Sequence, residues 1–482
     1  MTALLRRSAT IALALSIAGC GEPPAVAVAA APSAAASASG QAAPVASEPP
    51  RGPAGIATFI DDDYARAEAQ ALSEGKLLFV DVWAPWCHTC LAMQHGVFDA
   101  PALGAHAAGY VFASLDGDRE ENAAFVGAHP MRVWPTFFVV DPATKGIVAL
   151  YGGSLSLAEL EKFLDDAYRA RSAADSAFAK EAKALAEGHA AFATKDYARA
   201  AERYAEAAST PWPRRTEALL GGMYALSSAR SFASCGNFGT KHLGDVKGAS
   251  SEADFVAVLR GCAEKSTDID ARRAVLTTTL DRLRALAAQP PEGSSVDDRA
   301  DLLDMLAEAE LEAGNKEAAR KTHEKRLALL EGAAKEAGSP EAARVYDYAR
   351  MGSLFALDRG AEAEALFLGR VKEFPESYEA WARLAWSQHT LGKNKEALVS
   401  VDKAIAFSYG PRRLRYLVVK AEIQTALGDL AGARATIAEE VAGQEKLPPG
   451  QLDPAKVEDA KARLQHALDA ERSGAPPKKT SP

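Results

Sequence analysis

The chain has 482 residues, 48% of them hydrophobic, which is enough for more than one core at about 150 residues per domain. Its 64 acidic residues outnumber its 55 basic ones and leave a formal charge of -9. That balance withholds the basic surface on which a phosphate backbone would settle, so nucleic acid is excluded as a partner class.

The opening stretch MTALLRRSATIALALSIAGC holds two arginines, Arg6 and Arg7, an apolar run from Ile11 to Ala18, and small residues before Cys20. The run is too short to cross a bilayer and reads as an export signal. Its end, Ile17-Ala18-Gly19-Cys20, resembles the bacterial lipobox. The resemblance implies a lipoprotein signal peptide over residues 1–19 and a lipidated Cys20 at the mature N-terminus. The other reading is an ordinary signal peptide with a chance cysteine. A lipidated Cys20 implies a chain anchored on the periplasmic side of the bacterial cell envelope, and Gly21 in place of Asp implies the outer membrane. Residues 20–56 are rich in Ala, Pro and Ser with almost nothing large to bury, so a disordered linker is expected there. Such a tether averages about 30 Å end to end and reaches about 100 Å when extended.

From residue 57 the composition changes. DDDYARAEAQALSEGK has a helical pattern, and KLLFVDV is a continuous apolar run suited to a buried parallel strand. After it come WAPWCHTC, a helical stretch to His95, the strand pattern YVFASLD, the polar helical REENAAFVGAH, and VWPTFFVVDPATKGIVALYGG, which reads as two strands about a turn. Residues 156–172 read as a closing helix. The expected order is β-α-β-α-β-β-α.

Two cysteines at CxxC spacing, Cys87 and Cys90, stand directly behind the first core strand in a chain with five cysteines in all. A helix starting at Cys87 would offer its sulfur unpaired N–H groups, which stabilise a thiolate, and Cys90 lies one turn on. The spacing suits a reversible redox couple. A zinc site would need two further ligands; His88, His95 and His106 are near, but no second CxxC or HxxxH exists, so no metal is expected. The element order, WCxxC after the strand and Trp134-Pro135-Thr136 at the third strand together resemble the thioredoxin superfamily over residues 57–172. The context EGKLLFVDVWAPWCHTC is similar to the C-terminal domain of the thiol:disulfide interchange protein.

That resemblance implies an α/β thioredoxin-like domain acting as a thiol–disulfide oxidoreductase. Cys87 would be the nucleophile, Cys90 the resolving thiol, Asp81 the proton acceptor, and Pro135 the cis-proline that aligns an incoming peptide. Trp86 and Trp134 would flank the substrate groove, Trp134 narrowing it. His88 replaces the glycine beside the family's nucleophile; it is either a cation that tunes the thiolate or a solvated helix-start residue. Asp81 is either the buried carboxylate of the family or an exposed strand-end residue. The lysine that often pairs with that acid has no counterpart in VFASLDGD. Such a couple carries its own electrons and calls for no cofactor. Its partners would be protein thiols and disulfides and an upstream redox protein.

From residue 175 to 470 the sequence is alanine-rich and helix-periodic. GHAAFATKDYARAAERYAEAAS, WARLAWSQHTLGKNKEALVSVDKAI and AEIQTALGDLAGAR repeat a pattern of helix, turn with Gly or Asp, and Ala-rich helix. Ala363, Ala397 and Ala433 recur near the ~34-residue period of tetratricopeptide (TPR) repeats, which this region resembles. The resemblance implies an all-α solenoid whose concave face binds a protein partner. A non-repetitive helical bundle is the other reading, because residues 215–300 match poorly and stand as an irregular insert. The insert holds Cys235 and Cys262, an expected structural disulfide in an exported chain. Residues 471–482 read as a disordered tail. A second function class follows from this half: a TPR scaffold that holds clients, its thioredoxin-like domain without catalysis.

Overall fold

The computed structural model describes residues 49–171 and 177–473. The signal peptide, Cys20, most of the linker and the last nine residues lie outside the described residues. The end of the linker is described: Gly52 and Gly55 donate their N–H groups to the carbonyls of Ala105 and Pro101, which lays this strip against the first unit.

That unit is built on a five-stranded sheet. Its strands are β1 (Phe59–Asp61), β2 (Leu77–Trp83), β3 (Tyr110–Asp116), β4 (Thr136–Asp141) and β5 (Gly146–Gly152), in the order β1-β3-β2-β4-β5. β1, β3 and β2 run parallel; β4 is antiparallel to β2, and β5 to β4. β1 was absent from the expected order because three residues show no period. β2 is central and buried on both faces, which is why its sequence is a continuous apolar run and not an alternation.

Helices α1 (Tyr64–Glu74) and α4 (Ala123–Ala128) lie with one face, where Leu78, Val80, Val111, Phe125 and Phe138 pack together. Helices α2 (His88–Ala92), α3 (Pro101–Gly104) and α5 (Leu157–Ala170) belong with the other. There Phe79, Phe98, Phe112, Phe137, Leu160 and Leu164 form a core that runs without a break into the helical half.

The helical half is a TPR-like solenoid. It contains α6 (Ala179–Ala193), α7 (Tyr197–Ala207), α8 (Arg215–Ser228), α9 (Phe232–His242), α10 (Ser251–Lys265), α11 (Ile269–Ala288), α12 (Val296–Glu312) and α13 (Lys316–Glu336). The short α14 (Pro340–Arg344) leads into α15 (Asp347–Ala356), α16 (Gly360–Glu373), α17 (Tyr378–Thr390), α18 (Asn394–Phe407), α19 (Gly410–Ala426), α20 (Leu430–Gln444) and α21 (Pro454–Ser473). Neighbours pack as successive pairs: α6 with α7, α12 with α13, α17 with α18, α19 with α20. Small residues make the close approach possible; Ala200, Ala363, Ala385, Ala397 and Ala404 are fully buried.

Residues 215–300 are not an irregular interruption. They form α8 to α11 and the start of α12, stacked in line with the rest. Cys235 of α9 and Cys262 of α10 are joined by a disulfide and are fully buried. Closing a loop of that length is worth ~3–4 kcal/mol in the chain-entropy account.

The solenoid curls around the sheet unit. At the β5 edge, the Leu150 N–H donates to Glu217 Oε1 at 2.9 Å and Arg214 donates to the Val148 carbonyl at 2.8 Å. Arg214 also grips Glu217 through Nε and Nη2, at 2.7 and 2.8 Å. Burial works to raise the Glu217 pKa, but Arg214 and His189 outweigh it and hold the carboxyl down at about 2. This covers an edge strand that would otherwise pair with another chain. Further along, Tyr224 donates to the Gly152 carbonyl at 2.9 Å and Ser154 to Asp298 at 3.0 Å. Contacts come from α8, α12, α15, α17 and α19 and also from α6, α7 and α10.

Candidate functional site

At the end of β2 the chain turns through Ala84 and Pro85, and Cys87 becomes the N-cap of α2. The Cys90 N–H donates to Cys87 Sγ at 3.0 Å. Cys87 and Cys90 are bonded as a disulfide with Cα atoms 5.2 Å apart. The helix continues past Ala92 as a wider π-type turn to Phe98, beyond the expected end at His95. First-turn amides directed at Cys87 favour its thiolate once the bond opens.

Asp81 pairs in register with Ser114 of β3 and Phe137 of β4. It is only 1% exposed, so it is not a solvated strand-end residue. Its Oδ1 has no hydrogen-bond partner among the described residues, and burial pushes its pKa well above the ordinary carboxylate range. In its ionised form such a carboxylate is a stronger base than a solvated Asp, which suits it to take a proton from a thiol.

Pro135 follows Trp134 through a cis peptide bond, and its carbonyl accepts from the Gly153 N–H at 3.0 Å. Trp134 meets Trp86 edge-on, ring centroids 5.4 Å apart. Trp83, Trp86 and Trp134 pack around Ala84, Cys87 and Cys90, so Cys87 is 6% exposed and Cys90 1%. Cys87, Cys90, Trp86 and Trp134 are thus gathered at one end of the sheet unit, with His88 beside them on α2.

The solenoid closes over that end. The Trp86 indole N–H donates to Asp118 Oδ2 at 2.6 Å, the Arg412 guanidinium of α19 lies 3.6 Å above the Trp86 ring, and Arg383 of α17 donates to the Trp86 carbonyl at 3.3 Å. The Tyr409 hydroxyl donates to Asp116, and Gln451 Nε2 donates to the Gly117 carbonyl at 3.0 Å. His88 Nδ1 stands 3.1 Å from Asp297 Oδ1 of α12, and its ring stacks on Tyr348 of α15. His88 is therefore not a solvated helix-start residue. Sequence reasoning missed Asp118, Asp297, Tyr348, Arg383, Tyr409 and Arg412. All but Asp118 lie in the helical half, and no motif in a single sequence ties them to the cysteines.

His88, Asp297 and Asp301 bring donor atoms within 4.8 Å of one another. They read as an ion-pair cluster, with Arg326 placed 3.9 Å from Asp301.

Residues 59–142 match the thioredoxin-like family model. No curated protein matches the chain. Among solved structures, a tetratricopeptide repeat protein from Parabacteroides merdae is 15% identical, with 60% of this chain and 99% of that one covered and a TM-score of 0.39. The TPR2AB domain of yeast Sti1, in its pHSP90 complex, is 14% identical, with 60% and 98% covered and a TM-score of 0.23. The chain joins a thioredoxin-like unit, with a close cysteine pair, to an array of packed helix pairs.

Proposed function

We propose that the protein is an exported, lipid-anchored thiol–disulfide oxidoreductase acting on protein disulfides, with the solenoid governing access and partner binding. The observation that carries this reading is the bonded Cys87–Cys90 pair at a helix start, with the buried Asp81, whose Oδ1 has no hydrogen-bond partner among the described residues, on the strand that leads into it.

In the reducing direction, the Cys87 thiolate attacks a client disulfide, and one client sulfur leaves as a thiolate. Cys90 then gives its proton to Asp81 and attacks the Cys87 sulfur of the mixed disulfide. The second client thiolate leaves, two electrons have passed to the client, and the Cys87–Cys90 disulfide remains. An upstream dithiol protein restores the reduced pair, and the Asp81 proton returns to solvent. Pro135 and Trp134 shape the groove where the client strand lies. With Cys87 only 6% exposed, client entry requires α17 and α19 to move off Trp86.

The closed mouth also favours a second reading. Here the solenoid is a scaffold, and the sheet unit is a structural part of it with no turnover. An insulin-reduction assay with dithiothreitol separates the two: turnover that falls to background in Cys87→Ser supports the oxidoreductase, and no turnover by the wild type supports the scaffold. The envelope location rests on Cys20. Cys20→Ala should leave the membrane fraction, and identical fractionation of variant and wild type would overturn the anchor.

A further inference from the structure

His88 stands where the two halves of the chain meet. Its own helix gives it the Thr89 hydroxyl, 3.5 Å from Nδ1. The helical array supplies the charged and aromatic groups that face it. Asp297, in the first turn of α12 and 3% exposed, sets Oδ1 3.1 Å from Nδ1. Asp301, one turn on, adds a second carboxylate, with Arg326 of α13 3.9 Å away. Tyr348 of α15 stacks on the imidazole, centroids 5.2 Å and planes 20° apart. Arg383 of α17 lies 5.5 Å from the Tyr348 ring centre and has Glu379 as its own anion. A carboxylate buried as deeply as Asp297 is costly unless a cation answers it. Arg326 answers Asp301 and Asp304, Arg383 answers Glu379, and His88 answers Asp297.

We propose that Asp297 is a positioning residue of the redox centre: through its 3.1 Å contact it holds the imidazole of His88, the residue next to Cys87 in the chain, so that the docked array sets how readily the Cys87 thiolate forms. This rests on the oxidoreductase reading and adds what regulates the couple. Burial alone would favour the neutral ring, but Asp297 and then Asp301 outweigh burial and the opposing Arg383, and raise His88 to about 9. A cation adjoining Cys87 stabilises its thiolate, hence the reduced pair, and makes the couple more oxidising.

The test uses the intact reduced chain. The His88 imidazole is titrated by NMR, and the couple is equilibrated with glutathione at pH 8. Wild-type His88 should titrate near 9, and Asp297→Asn should raise its proton dissociation constant at least tenfold. At pH 8 at least half of the variant's rings are then neutral, and the glutathione equilibrium should move toward the disulfide by up to roughly tenfold, a potential lower by up to ~30 mV. Asp297→Glu should restore part of both effects, and His88→Gln should reproduce the shift with glutathione. Should Asp297→Asn fail to fold, the wild-type titration and His88→Gln still decide. A wild-type His88 titrating below 6.5, equal titration in both proteins, or a glutathione equilibrium indifferent to the variants would overturn the proposal. So would zinc that raises the melting temperature of the wild type and not of Asp297→Asn, because the three groups would then be a cation site. A wild-type couple inert to glutathione would fail the redox reading, while the NMR titration would still judge Asp297.

Discussion

Asp81 occupies a position where a buried strand ordinarily carries Val or Ile. Its native pKa lies above the unfolded value, so between the two the folded chain binds the extra proton and loses stability as pH rises through that window. Asn at this position has no proton to lose. Asp81→Asn should therefore be the more stable protein at pH 7, by on the order of 1–3 kcal/mol, with the gap closing near pH 4. Denaturant midpoints at the two pH values measure this; a variant less stable than wild type at pH 7 would mean that Asp81 is a structural anchor. Cys87 and Cys90 could be picked out in sequence by their spacing, and Asp81 and Pro135 through the resemblance to the thioredoxin superfamily. Asp297 and Arg412 could not, since each is an ordinary charged residue on a helix until the fold brings it to His88 or Trp86.

The turns of the solenoid show how its elements are punctuated. Lys195, Arg230, Gly314, Asp358, Gly392 and Gly428, each in a turn between helices, all have positive φ. Only glycine takes that conformation without strain. Gly392 has open space where a Cβ would go, so Gly392→Ala isolates the backbone cost and should lower stability by about 1 kcal/mol. Asp358→Gly should raise it by somewhat less than that, because glycine also loosens the unfolded chain. Equal thermal midpoints for both variants and the wild type would remove this account of the turns. The Gly and Asp punctuation made the repeat visible from sequence. The same reading failed at 215–300, where α9 carries Gly236 and Gly239 and its disulfide, and no alanine pattern announces the helix. β1 was missed because three residues are too few for any period.

At the scale of the whole molecule, the sequence disclosed two units and their kinds but not that one closes over the other. That closure depends on surfaces hundreds of residues apart, such as Gly410 against the carbonyl of Asp118. A Cβ at Gly410 would collide with that oxygen, so Gly410→Ala should spring α19 from the cysteine end. If the docked array shields the site, reduced Cys87 in this variant should react with iodoacetamide roughly tenfold faster, equivalent to opening made easier by ~1.4 kcal/mol. Gly392→Ala, also at positive φ but with nothing within 4 Å of its added Cβ, is the control; equal rates in all three proteins would refute the shield.

Covalent capture tests the redox assignment itself most directly. Cys90→Ser, expressed in a cell envelope and examined on non-reducing gels, should accumulate client proteins bonded through Cys87, because nothing resolves the mixed disulfide. Cys87→Ser should capture far fewer. Equal and negligible capture by both variants would contradict the account and leave the solenoid scaffold as the function of the chain.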